Sequence, residues 1–276
     1  MTQATHVTSG IKTLVLAAAL AAGCGSAIAQ ITLTGAAGSV QGTVTYNNLN
    51  SSTTIGSSWQ GGARSLNDGT TNFLAYCIDP LTSGLGSAGT YTTASLSSFL
   101  TTGAPATGYN QQMTSAGYAS LAYVQQSAAL VQASLTSLFS HAYAESILST
   151  TKAAAFSYAV WEIMGESTYG RTTGALRGGG TTAANDADSV EVQIDAYLAA
   201  LSSNSWGSVN GANLTTATSY TYSVYYDPAP HSAQNFIRVT AGGGGGTAVP
   251  EPASLALAGL GLAGAAFSRR RAGRAS

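Results

Sequence analysis

The middle of the chain reads AAAFSYAVWEI at residues 153–163, and this stretch decides the fold class. Phe156, Val160 and Ile163 recur with the period of one helix face. The same period precedes this stretch at Val131, Leu135, Leu138, Ala142 and Tyr143, and it follows at Val190, Ile194, Tyr197 and Leu201. We therefore predict three helices, of which the second is capped by Thr150 or Thr151 and the third spans residues 186–201.

Alternating segments flank the helical block on both sides. On the N-terminal side Val40, Gly42, Val44 and Tyr46 alternate with polar residues, and residues 73–79 form a second predicted strand. On the C-terminal side Tyr220, Tyr222, Val224 and Tyr226 share one face of a strand, and residues 234–240 form the returning strand. Residues 47–71 are predicted as a loop, and Gly178–Gly180 as a linker. The fold class is α+β, with β-sandwich- or barrel-like strands at both ends of the body enclosing the helices.

The composition excludes several classes of protein. Charged residues make up 8% of the 276 residues, against about 25% in an ordinary soluble domain. The net charge of −1 gives no electrostatic footprint for nucleic acid. Two cysteines cannot support a disulfide-rich scaffold, and a hydrophobic content of 45% argues against intrinsic disorder.

Residues 1–29 have the three parts of a secretory signal peptide, predicted as a helix. Lys12 precedes an apolar stretch, and Ala27 and Ala29 form the small-residue cleavage site that leaves Gln30 as the first residue. The alternatives are a lipoprotein signal that acylates Cys24 and a buried N-terminal helix. The signal peptide predicts export through the Sec machinery.

The C-terminal end has a second targeting pattern. The motif Pro250-Glu251-Pro252 is followed by a predicted apolar helix at residues 253–267 and by Arg269, Arg270 and Arg271. By the positive-inside rule these arginines stay cytoplasmic while the body is outside. The helix is shorter than the roughly 20 residues that span a bilayer. The alternative is an apolar tail that packs on the body.

Residues 249–276 resemble the PEP-CTERM sorting signal of Gram-negative bacteria. The resemblance implies recognition and cleavage near Pro250-Glu251-Pro252 by an exosortase, a membrane protease, with transient anchoring in the inner membrane. It also implies a final location at the outer surface or in the exopolysaccharide matrix. The domain organisation is then a signal peptide at 1–29, a body at 30–241, a glycine-rich linker at 242–248 and the sorting signal at 249–276.

The exported part is more acidic than the whole chain. Residues 30–252 hold five basic and eleven acidic residues, which gives a net charge of −6. Such a charge favours solubility and does not favour binding to anionic polymers.

Two short motifs in the body resemble bacterial thioester domains. Tyr76-Cys77-Ile78-Asp79 resembles the aromatic-cysteine motif of a strand, and residues 156–162 resemble a helix motif that ends in Trp161 and Glu162. The resemblance implies that Cys77 faces residue 157, where the family has a glutamine whose side-chain carbonyl forms the thioester. This chain has Ser157 there, so the resemblance implies the fold without the crosslinking centre.

Several alternatives for Cys77 stay open at this stage. A surviving thioester needs another glutamine, of which Gln125, Gln126 and Gln132 are the nearest upstream. The simplest interpretation is a small buried apolar residue, and a mixed disulfide or a metal role remains. A Cys-His enzyme needs a histidine as base, and the body offers only His141 and His231, the first predicted to pair with Glu145.

The remaining patterns predict no enzyme, metal or cofactor. No metal-site signature is present, and the glycines near Gly178 lack a P-loop lysine. Glu162 and Glu166 share a helix face, which favours helix polarity, with Glu162 near Cys77, over glycosidase chemistry.

We expect a non-enzymatic structural or adhesive surface protein. The alternatives are a covalent adhesin that uses Cys77 and a carbohydrate-binding module that exposes the tyrosines of residues 220–226.

Overall fold

The computed structural model describes residues 30–47, 55–78, 85, 90–101, 127–165, 168–174, 176–178, 189–209, 211–227 and 233–242. The chain divides into one unit up to Thr240 and a second unit at Ala241–Ser276. Only Ala241 and Gly242 of the second unit are described. The predicted signal helix, sorting helix and most of the linker lie outside the described residues.

The described strands build one large antiparallel sheet and one small hairpin. Their bounds are β1 Gln30–Thr32, β2 Thr34–Gly35, β3 Val40–Asn47, β4 Ile55–Asn67, β5 Asn72–Cys77, β6 Thr90–Ser95, β7 Ser208–Val209, β8 Ala212–Asn213, β9 Tyr220–Tyr226 and β10 Phe236–Ala241. The large sheet has the order β1-β6-β9-β10-β5-β4-β2, with β3 also paired to β4, and β7 pairs with β8.

The two ends of the sheet path belong to adjacent residues of the chain. β1 pairs with β6 at one end, through Ile31 opposite Tyr91. β2 pairs with β4 at the other end, through Gly35 opposite Leu66. The segment 30–35 therefore connects both ends and makes the sheet nearly closed. The α+β class with barrel-like strands is confirmed for the described part of the chain.

Four helices are described: α1 Leu96–Thr101, α2 Ala128–Ser146, α3 Thr150–Gly165 and α4 Val190–Ser203. The three long ones are the predicted helices. The Ser127 hydroxyl caps α2, and the Ser189 hydroxyl caps α4 by accepting from the Val192 N–H. The predicted cap of α3 was misplaced, because Ser149 accepts from the Lys152 N–H and Thr150 is already helical.

The sheet separates two apolar clusters. The first cluster lies between the sheet and the helices and includes Tyr76, Phe139, Phe156 and Ile237. The second cluster contains residues of strands and loops alone: Leu33, Leu66, Phe73, Ala75, Cys77, Tyr91, Tyr225, Ala233 and Phe236. Side chains of a strand point alternately to its two faces. The second cluster therefore occupies the face that the nearly closed sheet encloses.

Helix α3 lies very close to strands β3 and β4. A Cβ on Gly42 would lie 2.4 Å from the Thr150 carbonyl oxygen, and one on Gly61 would lie 3.3 Å from the Ser157 Cβ. Every residue from Ala153 to Gly165 is buried. Glycines on the two strands thus allow a helix with small residues on its inner face to approach the backbone of the sheet.

The prediction of a loop at residues 47–71 was wrong over β4, which spans Ile55–Asn67. Glycine and serine fill much of this strand, so it shows no apolar alternation. Glycine is needed in this strand because α3 approaches its backbone closely, and it does not mark a turn. Strand β6, at Thr90–Ser95, was not predicted either.

Candidate functional site

Cys77 is the last residue of β5, and its side chain belongs to the second cluster. It pairs in register with Phe236 of β10 and is 4% exposed. The neighbouring residues alternate as the pleat requires, since Ala75 joins the second cluster and Tyr76 the first. The thiol is therefore buried on the face of the sheet that the helices do not contact.

Ser157 lies at the centre of α3 and is fully buried. Its hydroxyl oxygen accepts a hydrogen bond from the backbone N–H of Gly62 over 2.7 Å. Gly62 has a φ of +140°, a conformation that favours glycine, and it lies next to Ala63, which pairs with Tyr76. Ser157 thus binds the sheet backbone at the strand beside the cysteine motif.

Trp161 connects the two motifs directly. Its indole Nε1–H donates to the backbone carbonyl oxygen of Cys77 over 3.1 Å. The structure therefore brings the helix motif and the cysteine motif together through the backbone of β5. It does not place the side chains of Cys77 and Ser157 in one cluster, because the thiol points away from α3.

Glu162 is fully buried on α3, beside Trp161. Glu166 and Asp79 lie outside the described residues, as do Gln125 and Gln126. Gln132 lies on α2, the helix before α3.

Two arginines lie on the enclosed face near Cys77, and sequence reasoning did not single them out. Arg64 and Arg238 both pair in register with Ala75, from the strands on either side of β5. The Arg64 guanidinium donates to Gln234 Oε1 and lies 5.9 Å from the Phe236 ring centroid. Arg238 lies 4.3 Å over the Phe73 ring and pairs with Asp68 at 3.6 Å. The only sequence pattern that could have indicated these arginines is the alternation of side chains between the two faces of a strand.

His141 does not pair with Glu145, which corrects the predicted surface pair. Its Nδ1 lies 2.7 Å from the Leu214 carbonyl oxygen, to which it donates, and its ring stacks on Trp206. Glu145 instead forms an ion pair with Lys152. His141 thus fixes a loop against α2, and His231 lies outside the described residues.

The tyrosines of β9 do not form an exposed aromatic face. Tyr220 and Tyr222 contact Tyr143 and Phe139 of α2, and Tyr226 contacts Phe99 of α1. Tyr225, on the opposite face, is 4% exposed and stacks on Phe73. Tyr220, Tyr222 and Tyr226 are half-buried against the helices, so the stripe packs against the core and the sugar-stacking alternative loses its exposed face.

Buried hydroxyls in the first cluster are kept neutral. Burial raises the pKa of Tyr76, whose hydroxyl lies 2.7 Å from Ser146 Oγ. Burial likewise raises the pKa of Tyr197 on α4. Neither tyrosine is placed to supply a phenolate at neutral pH.

The described residues contain neither a metal-binding cluster nor a membrane-spanning helix. Within them, no group of three or more histidine, cysteine, aspartate and glutamate side chains could hold a metal ion. Among the helices given above, none has the length and apolarity to cross a bilayer.

The comparisons with known proteins concern the C-terminal segment. Residues 248–271 match the family model of the PEP-CTERM protein-sorting motif, which confirms the PEP-CTERM prediction for the C-terminal segment. The individual roles of Pro250-Glu251-Pro252 and of Arg269, Arg270 and Arg271 stay predictions. The motif indicates an exported protein that is processed by an exosortase and sorted to the cell surface. No curated protein and no solved structure matches the chain. The sorting residues, like Ala27 and Ala29, lie outside the described residues.

Proposed function

We propose that this exported protein is a structural or adhesive component of the cell surface or exopolysaccharide matrix of a Gram-negative bacterium, and that it is not an enzyme. The signal peptide at residues 1–29 delivers it to the Sec machinery, with cleavage after Ala29. The exosortase then releases the body from a transient membrane anchor near Pro250-Glu251-Pro252. The body is a thioester-domain-like scaffold that works without covalent chemistry.

One observation carries the absence of thioester chemistry. A thioester needs a thiol and a carboxamide in contact, and here the partner position holds a hydroxyl that already binds the Gly62 N–H. The Cys77 side chain belongs to the second cluster, across the sheet from α3. Two hydrogen bonds then hold α3 against the sheet: the Ser157 hydroxyl binds the Gly62 N–H, and the Trp161 indole binds the Cys77 carbonyl oxygen.

The mass of the exported protein tests this proposal. We expect the intact mass of the mature chain, with no loss of ammonia and no adduct after incubation with methylamine. Iodoacetamide should modify Cys77 only in denaturant, because the thiol is 4% exposed. An ammonia loss together with a methylamine adduct would establish the covalent adhesin instead.

The variant Ser157→Gln sharpens the same test. If the thiol faces away from α3, this variant also keeps its ammonia and gives no methylamine adduct. Formation of a thioester in Ser157→Gln would show that Cys77 reaches residue 157, and it would overturn the assignment of the thiol to the second cluster.

The distribution of the protein between the exopolysaccharide and the medium tests the matrix role. We expect it to stay with the washed exopolysaccharide of its host and to appear in the medium of a strain that makes no exopolysaccharide. The same distribution in both strains would remove the matrix role and leave the sorting assignment intact. Because the β9 tyrosines pack against α1 and α2, the carbohydrate-binding alternative loses the aromatic face on which it was based.

A further inference from the structure

Residues 30–35, which we name the closing segment, complete the sheet from the N-terminal end of the body. Three of its residues pair with β6, in the register Gln30 to Thr92, Ile31 to Tyr91 and Thr32 to Thr90. Two more pair with β4, in the register Thr34 to Asn67 and Gly35 to Leu66. One short segment therefore pairs with the strands at both ends of the sheet path.

The closing segment is held by few side chains. Leu33, between its two halves, is 3% exposed and packs in the second cluster, and Ile31 is partly buried beside it. The other four residues are exposed. Release of the segment exposes one leucine and part of an isoleucine and breaks the ladders to β6 and β4, while the first cluster between sheet and helices stays intact.

A four-residue connection, residues 36–39, joins the closing segment to β3. Ala36 donates its N–H to the Ser65 carbonyl oxygen, and the Ser39 hydroxyl accepts from the Ser65 N–H over 2.9 Å. Between them Gly38 has a φ of +96°, and a Cβ there would meet no heavy atom within 4 Å, so this position has room to change direction. Exchange of an identical element between two copies is a low-cost route to dimers.

We infer that the closing segment is exchangeable, and that β6 and β4 of one copy accept the closing segment of a second copy. The inference rests on the proposed function, because cleavage after Ala29 makes Gln30 the first residue and the closing segment a chain end. Neither the segment nor its partners at residues 66–67 and 90–92 carries a charged side chain, so the net charge of −6 is not concentrated at this contact.

Concentration decides between the two arrangements. Within one chain the segment is present at an effective concentration on the order of millimolar, so the closed monomer dominates in dilute solution. In a surface layer, where copies are crowded, exchange links neighbouring bodies without any new type of contact. This gives a sparsely charged matrix protein a route to assembly.

Directed disulfides test the exchange. Thr32 and Thr90 are directly opposite in the ladder, so we place cysteines at these positions on different chains, in a Cys77→Ala background. The Thr32→Cys and Thr90→Cys proteins are purified after export, mixed, oxidised with glutathione and separated on a non-reducing gel. We expect a covalent heterodimer, and its fraction should increase severalfold when the protein concentration is raised about tenfold.

Two controls make the result decisive. Thr215 is exposed and lies outside the large sheet, so Thr32→Cys mixed with Thr215→Cys should give only the background dimer. The double variant Thr32→Cys/Thr90→Cys should form a disulfide within one chain when dilute. If the double variant closes but the mixed single variants give no dimer above the control, exchange is disproved. If the double variant does not close, the pairing on which the inference depends is wrong.

N-terminal sequencing of the exported protein tests the underlying export proposal separately. A first residue other than Gln30 would contradict the cleavage site, while the disulfide assay still reports on exchange.

Discussion

Ser157 lies where helix α3 contacts strand β4, and its hydroxyl satisfies a buried backbone N–H. The Ser157 hydroxyl therefore has a structural role, since it accepts a hydrogen bond of 2.7 Å from the Gly62 N–H. Trp161, one helical turn later, satisfies the Cys77 carbonyl oxygen in the same way. At the scale of single residues the two motifs that resemble a reactive centre stabilise a helix–sheet contact.

Removing the hydroxyl tests this role. Ser157→Ala leaves the Gly62 N–H buried without its acceptor, so we expect the free energy of unfolding to fall by about 1–3 kcal/mol. Urea denaturation of the purified protein measures the change. Ser203→Ala is the matched control, because Ser203 is exposed near the end of α4, and it should change stability by less than about 0.5 kcal/mol. Equal effects in the two variants would contradict the assigned role.

Asp68 is a second residue whose state the structure fixes. Its carboxylate accepts from the Thr70 hydroxyl at 2.6 Å and from the Thr71 N–H at 2.8 Å, in the turn between β4 and β5. These hydrogen bonds lower the pKa of Asp68 from 3.8 to about 2. Because the folded state holds the charged form, Asp68 stabilises the fold above about pH 4, and this contribution is lost as the pH falls towards 2.

Thermal unfolding between pH 2 and 6 measures that contribution. We expect the difference in Tm between the wild type and Asp68→Asn to be largest above about pH 4 and to vanish near pH 2. Thr70→Val keeps the carboxylate and loses the hydroxyl donor, so it should show a smaller difference over the same pH range. A difference that does not depend on pH would show that the carboxylate charge is not involved.

At the scale of elements, the contact of α3 with β3 and β4 depends on glycines. Gly42→Ala would bring a Cβ to 2.4 Å from the Thr150 carbonyl oxygen, which only a shift of the helix can relieve. We expect a loss of about 1–3 kcal/mol in the free energy of unfolding, as for other overpacked contacts. In contrast, a Cβ on Gly207 meets nothing within 4 Å, so Gly207→Ala should be neutral or slightly stabilising. Equal losses in both variants would argue against the close approach.

The elements differ in how well the sequence predicts them, and the reason is physical. The long helices carry apolar residues such as Leu135, Leu138 and Ile194 at the helical period, which tertiary packing then uses unchanged. Strand β4 has no such pattern, because its glycines match the helix above it and not a repeat within the strand. Predicting it would have required knowing that Gly42 and Gly61 lie beneath α3.

The sequence predicted only part of the candidate site, because the rest depends on how distant segments pair. The resemblance predicted that the Cys77 motif meets the helix motif of Trp161. In the structure the Trp161 indole donates a hydrogen bond to the Cys77 carbonyl oxygen. The face to which the Cys77 thiol points depends on the register of β5, which a short motif does not contain. His141 and Glu145 do not pair because each contacts another part of the chain, Leu214 after the small hairpin and Lys152 at the start of α3. Sequence spacing along α2 does not contain these contacts.

At the scale of the whole molecule, the C-terminal motif divides the chain into a part that is kept and a part that is removed. Four of the ten basic residues lie in the last eight positions. Processing near Pro250-Glu251-Pro252 therefore changes the protein from nearly neutral to acidic. This change favours release from the anionic membrane surface and keeps the body soluble.

Deleting the exosortase gene tests the sorting step. We expect a longer chain that retains the arginine-rich end and stays in the membrane fraction, because the apolar segment at residues 253–267 is no longer removed. Intact mass and cell fractionation measure both effects. Replacement of Glu251 by alanine in the wild-type strain provides a matched variant that should accumulate the same long form. An unchanged mass in the deletion strain would contradict processing by this enzyme.

The closing segment sets the order in which the body can fold. It is the first part of the body to be synthesised, yet its partner Tyr91 comes sixty residues after Ile31, and Leu33 packs against Phe236-containing strands from the far end of the sequence. The ladder of the segment can form once β6 has been synthesised, but the cluster around Leu33 is complete only when β10 supplies Phe236. The two ends of the body are therefore fixed in the same late step of folding, and a chain that stops before β10 leaves its first strand without its apolar partner.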